Sequence, residues 1–112
     1  MKTYYPVYAP DFHEEHVGFV EVIEGKSVRR LPRLDAPGTD SAGDDLFGWG
    51  YGGEGPYDLA WALLRDVGGY DQNQIESRYH ALLSFIARLP QNHDWRLTDA
   101  DVRRIAVPRN ID

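Results

Sequence analysis

Five glycines fall within eight residues at 48–55, inside the stretch LFGWGYGGEGPYDLAWALLRD that runs from Leu46 to Asp66. A glycine-rich turn before a helix is how proteins cradle phosphate, because bare amides and the positive end of the helix dipole face the anion together. Gly50, Gly52, Gly53 and Gly55 are the residues that would do so here. Two features of such sites are missing. No Lys followed by Ser or Thr closes the loop, and Gly48, Gly50 and Gly53 do not bring the third glycine to the start of the helix. Glu54 and Asp58 also put carboxylates where the anion would sit. The competing reading is a tight corner, in which glycine lets the backbone turn and lets Trp49 and Tyr51 pack. The corner is the preferred reading, and a small-ligand or phosphate site is the alternative.

Other chemistry is sparser. The run DFHEEH places His13 and His16 with two glutamates, but it is not the H-E-x-x-H helix of zinc enzymes, and a distant third ligand such as His80, His93 or Asp94 would be needed. An ordinary polar loop is the simpler account, and no metal is expected. Ser27, Ser41, Ser77 and Ser84 lie in no nucleophile elbow. The neighbours Asp44 and Asp45, and Asp99 with Asp101, belong to acidic surroundings rather than to a paired acid and base. Arg29, Arg30 and Arg33 could grip phosphates or pair with the acidic segment that follows, and the second is favoured by proximity.

Aromatic side chains remain. At about 100° per residue, Trp61 lies about 130° from the centre of the stripe Leu59, Ala60, Leu63, Leu64 and Val67, with Tyr57 and Arg65 one turn to either side. A Trp–Tyr–Arg cluster on a helix flank has the composition of a protein-binding hot spot. Packing of Trp61 beneath the hairpin or the acidic loop is the equal alternative.

The motif W-G-Y-G-G-x-G-P followed by L-A-x-A-L-L, with Leu89-Pro90 and then Trp95, Leu97, Thr98 and Asp101 as W-x-L-T-x-x-D, resembles an uncharacterised family of small bacterial, actinobacterial and phage- or plasmid-borne proteins. The likeness covers about the last two-thirds of the chain. It implies no activity, but it implies a mobile-element setting, in which proteins that inhibit host systems such as bacterial defence are common.

These residues need elements to hold them. MKTYYPVYAP is rich in β-formers, but Pro6 and Pro10 predict an edge strand or an irregular arm. Residues 17–34 read as a hairpin turning at EGKS, with Val17, Phe19, Glu21 and Ile23 on one face and Gly18, Val20, Val22 and Glu24 on the other. LFGW reads as a short strand against that hairpin. Gly55 as cap and Pro56 predict a helix that ends at Gly68-Gly69. A second helix spans Gln72 to Leu89 and stops at Pro90. QNHDWRL reads as a loop, and Thr98 with Asp101 caps a short helix over 99–105. VPRNID is expected to fray.

Composition limits what this can be. The 112 residues fit one domain, read as N-terminal strands over 1–34, an acidic loop over 35–45, and the corner and helices over 46–112. The fold class is α+β: a small antiparallel sheet of three to four strands packed on two main helices plus a short C-terminal helix. There is no cysteine and no apolar run long enough for a bilayer, so a cytoplasmic protein without membrane contact is expected. Net charge is −6, and it is uneven: residues 35–76 hold nine acidic groups against Arg65 alone. That disfavours bulk nucleic-acid binding and suits a protein partner with a basic surface. The expected function is therefore a non-enzymatic interaction module without cofactors. Asp44, Asp45, Trp49, Tyr51, Tyr57, Trp61 and Arg65 are its candidate contacts.

Overall fold

A computed structural model describes residues 1–8, 18–32, 47–90 and 94–108. The elements in chain order are β1 (Lys2–Tyr8), β2 (Gly18–Glu24), β3 (Ser27–Arg30), α1 (Glu54–Val67), α2 (Gln72–Ile86), β4 (Leu97–Thr98) and α3 (Asp99–Ile105). The sheet is antiparallel, in the order β3-β2-β1-β4, so the α+β reading of three to four strands with two main helices and a short third one holds, with four strands present. The acidic segment 35–45, with Asp44 and Asp45, lies outside the described residues, as do His13, His16 and His93.

β1 is an inner strand, not the edge that its prolines suggested. It pairs with β2 along its length and with β4 at Thr3 and Tyr4. The position of Pro6 explains why this is tolerated. Leu31 donates its amide to the Val20 carbonyl at 2.7 Å, so the main-chain groups of Val20 face β3. Val20 is the β2 partner of Pro6, so that pair is not hydrogen-bonded and Pro6 turns its donor-less nitrogen away from β2. On that other side β4 reaches only Thr3 and Tyr4.

The sheet buries one face. Tyr4, Val20, Val22, Leu31 and Leu97 have no or almost no exposure and form the core with the helices. Of the two hairpin faces, the one carrying Val20 and Val22 therefore points inward. Phe47 makes a single antiparallel bridge to Gly18, which is all that the described part of the expected LFGW strand forms.

α1 starts at Glu54 with Gly53, not Gly55, as its cap and no side-chain cap bond. The third of Gly48, Gly50 and Gly53 therefore does stand at the helix start, contrary to the sequence expectation. Its first intrahelical bond runs from the Tyr57 amide to the Gly53 carbonyl at 3.1 Å. Pro56 costs nothing here, since amides of the first turn have no partner within the helix. At the other end Gly68 (φ 80°) and Gly69 (φ 85°) turn the chain. Arg103 of α3 donates to the Val67 and Gly68 carbonyls at 2.6 and 3.0 Å, so a cation closes the negative end of the helix.

α2 begins with a capping box that the sequence reading missed: Asp71 and Gln74 each accept from the other's amide, at 2.8 and 2.9 Å. It ends at Ile86 rather than Leu89. Pro90 keeps Leu89 out of the α region, and the last amides tighten into three-residue turns, Arg88 to Phe85 and Leu89 to Ile86. The box at α3 forms as expected, with Thr98 and Asp101 bonded both ways at 3.0 Å.

Asp66 in the last turn of α1 fastens the helix to the sheet. Its carboxylate accepts from the Tyr4 hydroxyl at 2.8 Å and from Arg29 at 2.7 Å, with the Lys2 ammonium 3.6 Å away. The Lys2 ammonium also donates to the Asp66 carbonyl at 2.6 Å. Burial, followed by the bond to Asp66 and its charge, holds the Tyr4 phenol far above the ordinary tyrosine range, against a smaller opposing effect of Arg29.

Two outcomes follow. Asp66→Ala should lower the unfolding free energy by about 2–3 kcal/mol in urea titrations, the scale of a lost charge-assisted hydrogen bond in a half-sheltered site. Tyr4 stays neutral in the folded chain while its unfolded counterpart ionises near pH 10, so stability is full below that pH and falls above it. Tyr4→Phe should flatten this alkaline loss by about 1.4 kcal/mol per pH unit above pH 10, read from urea midpoints.

Candidate interaction site

The glycine run is a corner built against protein groups. Trp49 is fully buried and meets Trp95 edge-on, with ring centroids 5.5 Å apart. Gly50 takes φ 81°, a conformation that glycine reaches without strain, and donates its amide to the Ile86 carbonyl at 3.0 Å. The loop is thereby tied to the end of α2. Gly52 and Gly53 are exposed, whereas Gly55 and Pro56 are buried. A Cβ added at Gly53 would stand 3.3 Å from the half-buried Tyr51 ring, so this glycine also makes room for Tyr51.

The expected Tyr57–Trp61–Arg65 cluster exists, but it is not an exposed ridge. Tyr57 and Trp61 stack edge-on at 6.2 Å, and the Arg65 guanidinium lies 5.3 Å from the Trp61 ring centre. Trp61, however, is only 1% exposed, and Trp49 not at all. The reading of these two indoles as partner contacts is corrected: no partner reaches them in the folded chain. The cause is α2, which lies along that flank and sets Tyr79 against Trp61 at 5.9 Å. The alternative of a packed Trp61 was right in kind, and Tyr79 of α2 is part of its cover.

The surface has instead moved outward by one layer. Tyr57 meets Tyr79 edge-on at 5.2 Å, and Tyr79 stacks on His80 at 4.0 Å. All three are half-buried, as is Arg65, while Glu76 one turn before His80 is exposed. Burial raises the Tyr57 phenol above its usual range, Tyr79 adds to this, and the negative charges of Asp58 and Glu76 add further, while the Trp61 indole opposes. The seam between α1 and α2 therefore presents aromatic rings beside the exposed Glu76. Asp58 is itself 4% exposed and part of the buried wall beneath.

Tyr79 and Glu76 were not singled out from sequence as contacts, and His80 was named only as a distant metal ligand. Their signal was the pairing of two helices joined by GGYDQN, which obliges α2 to present residues to the Trp61 flank. Among the described residues no group of three or more His, Asp or Glu side chains could hold a metal ion. No helix among them is long and apolar enough to cross a membrane.

Of the basic residues after the hairpin turn, Arg29 binds Asp66 and Arg30 stacks on Phe19 at 3.8 Å, while the acidic segment expected to pair with them lies outside the described residues. Arg33 lies outside the described residues.

The profile of one protein family matches residues 14–107, beginning in the N-terminal third and so extending further than the stretch that carries the tryptophan–glycine motif. Its description is a family of unknown function. No curated protein and no solved structure matches the chain.

The phenol at the seam gives a direct check. Tyr57 remains neutral at pH values where a free tyrosine ionises, so difference absorbance should show Tyr57 titrating late. Tyr57→Phe should remove one late-titrating group from the difference spectrum.

Proposed function

The chain belongs to this family of unknown function (DUF6166), and we propose that it is a non-enzymatic protein-interaction module that engages a basic surface of its partner. The observation that carries this reading is the Tyr57–Tyr79–His80 row beside Glu76, backed by buried Trp61. Aromatic faces next to carboxylates attract guanidinium and ammonium groups, by cation–π attraction and by charge together. The molecule already makes one such contact internally, Arg65 over Trp61. A partner's arginine or lysine would make the next one on the outer rings. The acidic run over 35–76 draws a basic partner in from a distance, which raises association rates and makes them sensitive to salt.

In this proposal the contact residues are Tyr57, Tyr79, His80, Glu76 and Arg65, with Tyr51 at the corner and Asp44 and Asp45 supplying charge. Trp49 and Trp61 serve as the rigid floor. The resemblance of the tryptophan–glycine motif to phage- and plasmid-borne proteins would suit a mobile-element inhibitor that occupies a host protein, for example in bacterial defence. A cytoplasmic setting fits the lack of cysteine. The ligand-binding alternative keeps only the exposed turn at Gly52 and Gly53, because the Gly50 amide is spent on Ile86.

The test is affinity capture from host lysate with the wild type and two surface variants. A specific partner should be retained by the wild type, be released as salt rises well above physiological strength, and bind Tyr57→Ala and Glu76→Lys about 30-fold more weakly, the scale of a hot-spot loss. Unchanged capture by both variants would remove the seam from the interface.

A further inference from the structure

The outer edge of β3 carries no neighbouring strand among the described residues. The register fixes which groups point there. With the Leu31 amide on the Val20 carbonyl, Ser27, Arg29 and Leu31 face β2. Val28 and Arg30 therefore turn their amide and carbonyl groups away from the sheet. All four residues of β3 are exposed, and Val28 at 56% is among the most exposed large apolar side chains of the described residues.

The side chains along this edge are cationic. Lys26, Arg29 and Arg30 cluster within five residues, in a chain whose net charge is −6. Arg29 keeps 41% of its side chain exposed while it holds Asp66. A second copy of β3 would bring like charges face to face across the new pair, so these residues keep two copies from joining at this edge. The same charges favour a strand of opposite sign.

We propose that the β3 edge takes up an extended acidic segment of a partner protein as an additional strand. The outward-facing amides and carbonyls of Val28 and Arg30 supply the main-chain bonds. Strand alternation sets the pattern: an apolar residue beside Val28 and carboxylates beside Arg29 and Arg30. This surface is separate from the α1–α2 seam.

The probe is a capped six-residue peptide, threonine-glutamate-glutamate-valine-threonine-valine, titrated into the full-length, isotope-labelled protein by NMR. The expected result is that the Val28 and Arg30 amide signals move first and saturate. The counterpart with lysine for both glutamates should leave them still. Val28→Pro deletes only the outward amide and spares the ladder to β2, so it should bind about tenfold more weakly. Arg30→Glu should do the same and serves should Val28→Pro fail to fold, whereas Tyr57→Ala should bind as the wild type does. Still signals at Val28 and Arg30 up to about 1 mM peptide, or equal binding by the lysine counterpart, would overturn the proposal.

Discussion

Seven consecutive residues of α1, Asp58 to Leu64, are buried, and a helix buried through two turns needs cover on every side. In a domain of this size that requirement organises everything else. The inner face of the sheet covers one side and is locked in place at Asp66 by Tyr4, Arg29 and Lys2. α2 covers the flank of Trp61 through Tyr79. α3 closes the C-terminal end through Arg103. The glycine corner delivers the chain into this enclosed position, which is why Gly50 turns sharply and gives its amide to Ile86.

Enclosing α1 decides which side chains are left for recognition. Its own large aromatics go inward, and the outer residues of the elements around it become the surface. Two regions of different character result: aromatic rings beside Glu76 at the α1–α2 seam, and cations with an exposed valine along the β3 edge. Asp66 is withdrawn into the sheet contact and Asp58 into the interior, so the acidic middle of the chain is less acidic on its outside than its sequence suggests.

The fold was legible where local chemistry decides structure. Hairpin alternation, the glycine pair after α1 and the Thr98 box each act within a few residues, and each appears where expected. Failures came where distant elements decide. Pro6 argued for an edge strand, and only the two-residue β4, too short to read from LT alone, shows why it is harmless in an inner one. Trp61 sits off the apolar stripe, and helical periodicity cannot reveal that a second helix lies on that side. The cluster of Tyr57, Trp61 and Arg65 was found correctly as a set of neighbours. Its exposure was not, because burial depends on α2.

The enclosure of α1 is most directly tested by acrylamide quenching of tryptophan fluorescence in the native protein and in urea. Trp49, Trp61 and Trp95 are all buried, so native emission should be blue-shifted from that of free tryptophan, with every indole quenched far less than in the unfolded chain. A readily quenched, red-shifted fraction in the native protein that disappears in Trp61→Phe would show that Trp61 stands in solvent. That result would contradict the enclosed α1 and return the indole to the list of possible partner contacts.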